Sequence, residues 1–489
     1  MSDERESLLA AEHRADSPRS RRRARPRPNP LPKVQLAVVY AIKLVVPIAS
    51  TQAMPYMNVL VSELAASSGA ETGYYSGLVG SASSTAHLLT IYMWGRLSDK
   101  YGRKPVIIIG TVWTILFTLL FGVSRTLSAV ILTRFLTGIF SGTTGAIHSV
   151  VGELADSTNE SVAFPLYDIV SAVGFAVGPL IGGTFANPAE QFPGRFTSPF
   201  WRAYPYFLPC LVTSLIALAA LILAIFVLDE THPVKRRKLI SVDVDSLDHE
   251  EPISTHRHNT SGDEDDVYAS SQPLSIKSLL SIPVIQMVCA SSGALSFVAG
   301  CFNTVFVLQA YSPINHGGLA LSPPEIGRAL GIMGTVSIFL KLLMPPLLRR
   351  FGVLTVFRWC MRSWLVTFAS MSLLSVVAKQ VEGAGGKAVE WTAISFVLFL
   401  SRIGCMAFSI IMILTKDHTP GTSSLGTSNG MAEFAQSLMG VFSPTIVSSL
   451  FAFSATHNVL GGQFWVVVLV LLSVLFTVPA ERLRKYRDD

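Results

Sequence analysis

A few charged and polar residues stand inside otherwise apolar stretches, and their spacing could do chemistry. Asn429, Glu433, Gln436, Gly440 and Ser443 recur three or four residues apart, so on a helix turning about 100° per residue they share one face. A carboxylate removed from water holds its proton more tightly than a solvated one, so Glu433 on such a strip could load and release a proton. The competing reading is a fixed hydrogen-bond network with Glu433 permanently paired. Arg134, Gly138, Ser141, Gly145 and His148 form a second strip. Arginine stays charged, so its chemistry is to set the proton affinity of an acid beside it or to hold an anionic group. Asp168 is the nearest acid by sequence, which makes Arg134, Asp168 and Glu433 the expected proton-coupling set.

Lys43, Lys341 and Arg402 add three further bases. Together they predict an electropositive cavity suited to carboxylates or zwitterions, although Lys43 is near enough to its helix start to be expected to snorkel to the interface. Tyr56, Asn303, Gln309, Arg402, Asn429 and Gln436 are the expected substrate-cavity residues. His87 is expected to bridge helices rather than shuttle protons.

These groups need elements that tolerate them. Half of the 489 residues are hydrophobic and 14% are charged. A charged side chain at the centre of a membrane helix costs about 2.5–3.5 kcal/mol on insertion scales, so each must face a cavity or a partner. Windows of about 20 apolar residues, the length that spans a bilayer core, centre on Ile48, Thr85, Leu116, Phe135, Gly174 and Leu218, then on Ala294, Val336, Ser370, Ile403, Gly440 and Leu469. The predicted fold is all-α and integral to the membrane, with twelve transmembrane helices in two six-helix bundles, 34–228 and 281–479. A basic arm (1–33), a polar linker (229–280) and a short tail (480–489) complete the chain. The arm and the linker are too polar to bury a core and are expected to be disordered.

Arginine and lysine placement predicts the topology. The arm carries Arg19, Arg21, Arg22, Arg23, Arg25 and Arg27, the linker Lys235, Arg236, Arg237 and Lys238, and the tail Arg484, Lys485 and Arg487. Short basic segments stay cytoplasmic, so both termini are expected there. Asn159 and Asn259 begin glycosylation triplets on that same side and should stay unmodified. The net charge of +6 then reflects membrane orientation and anionic headgroups rather than nucleic-acid binding. Five cysteines without paired or metal-ligand spacing predict packed thiols. No cofactor, metal or catalytic motif is present, which argues against an enzyme.

Between the second and third windows runs Gly95-Arg-Leu-Ser-Asp99-Lys-Tyr-Gly102-Arg103-Lys-Pro105. Gly95 and Gly102 are expected to permit a tight turn and close helix approach. Asp99, one acid among four bases, is expected to pair with Arg103 or to cap a neighbouring helix, as a gate latch. This link, the two sets of six windows, Arg134-Phe-Leu-Thr-Gly138 and Gly174-Phe-Ala-Val-Gly178-Pro179-Leu-Ile-Gly182-Gly183 resemble the major facilitator superfamily. The glycines at 174, 178 and 182 by themselves read as close helix packing; the resemblance implies that this segment is of antiporter type.

Asn29-Pro-Leu-Pro-Lys-Val-Gln35, Gly73-Tyr-Tyr-Ser-Gly-Leu-Val-Gly80 and Tyr204-Pro-Tyr-Phe-Leu-Pro-Cys210 are similar to the zinc-induced facilitator-like proteins of plants and fungi. That likeness implies proton-coupled movement of small organic solutes, with no zinc site. The expected partners are therefore a small-molecule substrate, protons and the lipid bilayer. Glu4, Leu8 and Leu9 form an acidic dileucine pattern that looks like a vacuolar sorting signal, set against the plasma membrane as the alternative address.

Overall fold

The computed structural model describes residues 32–65, 72–155, 160–231, 276–380, 384–420 and 425–483. Glu4, Leu8 and Leu9, the arginines of the arm, the basic quartet of the linker, Asn159 and Asn259 of the glycosylation triplets, and Arg484, Lys485 and Arg487 of the tail lie outside them. In the first half, α1 runs Lys33–Thr51 and resumes over Met54–Ala65, followed by α2 (Thr72–Tyr101), α3 (Arg103–Gly122), α4 (Leu127–Ser141, then Thr144–Leu154), α5 (Glu160–Phe185) and α6 (Phe207–Val227). The second half repeats the pattern with α7 (Pro283–Tyr311), α8 (Pro323–Phe351), α9 (Val353–Gln380), α10 (Ala384–Cys405, then Ala407–His418), α11 (Leu425–Thr456) and α12 (Phe464–Arg482). An even number of crossings returns the end of α12 to the side where α1 begins, called here the termini side.

Among the described residues, eleven helical spans are long and apolar enough to cross a membrane. The sequence windows predicted twelve. The exception is α2, whose 30 residues suffice in length but carry Ser76, Ser81, Ser83, Ser84, Thr85 and His87. Ser81, Thr85 and His87 are held by protein, as are Thr90 and Trp94 further along. Ser81 Oγ lies 2.7 Å from Thr445 Oγ1 and donates to the Val441 carbonyl on α11, while Thr90 Oγ1 and Trp94 Nε1 both donate to the Ile139 carbonyl on α4. A helix wedged between the two halves can thus be polar where a lipid-facing one cannot.

Three helices are interrupted near mid-length: α1 at Gln52–Ala53, α4 at Gly142–Thr143 and α10 at Met406. Hydroxyls cover the carbonyls around the α4 break, with Ser141 donating to Gly138, Thr143 to Phe140 and Thr144 to Ser141 at 2.7–2.9 Å. Broken helices at this depth are tolerated only where protein or a cavity satisfies the freed groups.

The halves meet on the side opposite the termini, called the far side. Ser62 Oγ on α1 is 2.8 Å from Tyr311 OH on α7. A Cβ on Gly77 of α2 would overlap Ser448 of α11, and one on Gly183 of α5 would sit 2.7 Å from the Pro323 carbonyl of α8. On its other face, α5 presses Gly174 against Pro47, Gly178 against Thr51 and Gly182 against the Gln52 carbonyl of α1. The glycine stripe therefore packs two ways, with Pro179 lying between its faces and its carbonyl 2.7 Å from where a Cβ on Gly327 of α8 would stand.

The linker expected to be disordered over 229–280 is ordered at both described ends: Ile276–Leu280 form a short helix ahead of α7, and Asp229–Thr231 are fastened to the first bundle. Asp229 N donates to Gln35 Oε1, and Gln35 Nε2 donates back to the Asp229 carboxylate at 2.6 Å.

Candidate functional site

A cavity of about 370 Å³ lies between the halves. Ile42, Val45 and Ser50 of α1, Ser83, Ser84 and His87 of α2, Gly110, Thr111 and Thr114 of α3, and Arg134, Thr137 and Ser141 of α4 are among the residues that supply its wall from the first half, and Ser296, Glu433, Gln436 and Gly440 supply it from the second. The polar strip on α11 therefore does two jobs. Glu433 opens onto the cavity and, among the described residues, enters no ion pair; Lys43 is the cation whose charge reaches it. Gln436 donates to Ser292 Oγ at 2.7 Å on α7, and Ser296 donates to the Gln436 carbonyl at 2.8 Å. Ser443 is 1% exposed against α7, so the strip's far end is packing. Asn429 is half-buried towards the termini side.

Lys43 does not snorkel. Its Nζ sits 4.2 Å from the centroid of the Tyr167 ring, within electrostatic reach of Asp168, Glu433 and Lys341. The ring gives an ammonium a favourable seat inside the protein, which offsets the cost of leaving the interface. His148 contacts the edge of the same ring. Asp168, in turn, faces Lys341 of the other half, 3.9 Å from its carboxylate and 3.3 Å from its backbone carbonyl. Two acids and two bases, one of each from each half, thus form one electrostatic cluster, of which Glu433 opens onto the cavity.

Arg134 stands apart from Asp168, contrary to the pairing expected from sequence proximity, because α5 turns Asp168 towards α8. Its guanidinium lies over Phe121, 5.7 Å from the ring centroid, beside Tyr56 and Cys210. Tyr56 is fully buried, stacked on Tyr206 at 4.7 Å and donating to Gln52 Oε1 at 2.8 Å. It supports Arg134 rather than facing the cavity. Gln309 is likewise withdrawn, its amide shared among Met371 O, Ser375 Oγ and Gly317 O. Asn303 lines a second chamber and accepts from Arg402 Nη2 at 3.5 Å. His87 bridges to Ser141 Oγ at 2.8 Å while lining the main cavity.

At the termini side, the link between α2 and α3 is a single residue. Gly95 lies inside α2 with nothing within 4 Å of where a Cβ would stand, so the expected turn there is absent and the helix continues to Tyr101. Gly102 makes the turn alone, at φ +104°. Arg103 Nη1 meets Asp99 at 2.7 Å, and its Nε meets Glu153 of α4 at 3.0 Å. The cap of α3 comes from Glu230, just beyond α6, which accepts from Arg103 N at 2.8 Å and Lys104 N at 3.2 Å. Thr231 donates to Glu153 at 2.6 Å. Sequence reasoning missed Glu153, Glu230 and Thr231; the acidic pair that ends the sixth apolar window was the available signal.

Two bundles of six helices around a shared polar cavity define a solute transporter rather than an enzyme. The family model of the Major Facilitator Superfamily matches residues 39–444, and the chain belongs to that superfamily. The major facilitator-type transporter psiT2 of Psilocybe cyanescens is 33% identical over 468 residues, covering 91% of this chain and 88% of that protein. The protein ZINC INDUCED FACILITATOR 1 of Arabidopsis thaliana is 26% identical over 430 residues, covering 86% and 85%. Among solved structures, the D-xylose-proton symporter superposes with a TM-score of 0.65 at 15% identity over 91% of this chain and 97% of that one; that likeness speaks for the fold alone. The chain is a multi-pass membrane transporter, and relatives of the zinc-induced facilitator kind were legible in its motifs.

Proposed function

We propose that this transporter exchanges a small organic solute for protons by alternating access. The solute would be a metal chelator, an organic acid or a drug-like compound. The observation that carries the reading is Glu433: a carboxylate from the second half opens onto a cavity walled mainly by the first, without an ion-pair partner among the described residues. Far-side contacts between the halves leave the cavity serving the termini side, which positive charge assigns to the cytoplasm. A proton taken by Glu433 or Asp168 weakens the attraction to Lys43 and Lys341, and the bundles are then free to rock and present the cavity to the other side. Arg134, always charged, holds the cavity's potential fixed through the cycle. The address is the vacuolar or the plasma membrane, with Glu4, Leu8 and Leu9 as the sorting signal favouring the former.

The test uses purified protein in liposomes with an acid interior and a trapped pH dye. Chelators, organic acids and drug-like cations are added one at a time. Substrate-triggered alkalinisation is expected, reduced at least about tenfold by Glu433→Gln or Asp168→Asn, as removal of an essential proton carrier implies. Labelled-solute flux with a silent dye would instead identify an uncoupled facilitator, the reading favoured if Asp168 and Lys341 form a permanent pair.

A further inference from the structure

Beyond Arg134, towards the far side, lies a smaller chamber of about 110 Å³. Arg134 borders both spaces, so its side chain stands in the wall of each. The chamber's chemistry is one-sided. Arg134 supplies its charge, and no acid lines it among the described residues. Among the described residues, Asn58, 5% exposed, has no hydrogen-bond partner for its Nδ2, Ser76, 8% exposed, has none for its Oγ, and Arg134 has none for its Nε. Asn303 has its Oδ1 engaged by Arg402, which leaves its amide nitrogen as the end available to the chamber.

Polar groups from three helices of the first half and one of the second thus converge on the chamber with a single formal charge, that of Arg134. Burying such groups unpaired is costly, and a cation in a space walled otherwise by Met54, Met57 and Pro444 gains most from an anion. A water's share of volume is about 30 Å³, so the chamber admits a carboxylate and a short stem but not a whole drug-sized molecule. We infer that this chamber is a carboxylate subsite, in which Arg134, Asn58, Ser76 and Asn303 receive the acid group of the transported solute while the remainder occupies the larger cavity. The inference rests on the reading of the chain as a carrier of small organic solutes, and narrows it to carboxylate-bearing ones.

The probe is radiolabelled benzoate, bound to the purified full-length protein in a scintillation-proximity assay with ionic strength held constant by chloride. Saturable binding is expected, displaced by acetate and succinate but at least about tenfold less well by neutral benzamide, the ratio set by a charge-assisted hydrogen bond. Asn58→Asp places a carboxylate beside Arg134 and is expected to weaken binding at least about tenfold; Arg134→Gln should do the same. Should Arg134→Gln fail to fold, Ser76→Ala and Asn58→Asp, followed by size-exclusion profile, carry the test. Absence of saturable benzoate binding, equal displacement by benzamide, or binding undiminished in Asn58→Asp overturns the subsite. Benzoate binding without proton movement in liposomes would sink the exchange mechanism and leave the subsite standing. Proton exchange driven by amines with no benzoate binding would do the reverse.

Discussion

The two halves solve the same corner differently. α2 passes to α3 through Gly102 at φ +104°, and α8 passes to α9 through Gly352 at φ +80°. Each link is one glycine in a backbone region that other residues rarely enter. In the first half Glu230, three residues beyond the end of α6, lays its carboxylate on the α3 N-terminus, so close that a Cβ on Gly102 would collide with it. In the second half the space around Gly352 is open, and the acid near the end of α12, Glu481, reaches the side chains of Arg358 and Arg362 at 2.6 and 2.7 Å. The last helix of each bundle thus sends an acid to the third. One acid binds backbone at a turn that cannot shift without losing it; the other binds two flexible arginines that can follow a moving helix. The first corner is built as a catch and the second as a tether.

Substitutions can break that contrast, and thermal melting of purified protein reads them. Arg103→Met should be the most damaging, at about 3 kcal/mol, because it strips the partner from Glu153, which is only 19% exposed. Its opposite number Arg362→Met, at a 56% exposed side chain, should cost under about 1 kcal/mol. Next comes Gly102→Ala, expected to cost about 2–3 kcal/mol from backbone strain plus displacement of Glu230, against about 1 kcal/mol for Gly352→Ala, where strain acts alone. Equal losses at the two glycines would erase the distinction between catch and tether. Glu230→Gln keeps an acceptor but loses the charge at the helix start, for about 0.5–1 kcal/mol that shrinks as salt is raised. Smallest of all, Asp99→Asn should shift stability by less than about 0.5 kcal/mol, since that carboxylate is 66% exposed.

Most of the architecture was legible because membrane helices announce themselves by length and apolarity. The windows centred on Leu116, Leu218 and Leu469 fall inside α3, α6 and α12. α2 was placed correctly but is more polar than a window search admits, because Thr90 and Ser81 find acceptors on α4 and α11. The helical face carrying Glu433 was readable from spacing, since periodicity alone fixes which residues share a face. What periodicity cannot give is which helix lies opposite. Asp168 was matched to Arg134 by nearness in the chain, yet it meets Lys341, 173 residues further on. The same blindness hid Glu230 as the α3 cap and placed Tyr56 and Gln309 in a cavity they do not line. Gly95 misled for a different reason: a glycine between polar residues reads as a turn, but here the helix simply runs through it.

The polarity of α2 has a consequence for how the chain is made. Helices enter a bilayer during synthesis according to their own apolarity, and α3, α6 and α12 are apolar enough to do so unaided. α2 is not, and the acceptors for Ser81 lie on α11, the penultimate helix to leave the ribosome. Its insertion is therefore a debt carried through nearly the whole of translation, settled in part when α4 receives Thr90 and Trp94 and further only when the second bundle brings up the acceptors for Ser81. Chains cut short before α11 would leave α2 loosely held in the membrane, a mark by which quality control can tell an unfinished transporter from a finished one.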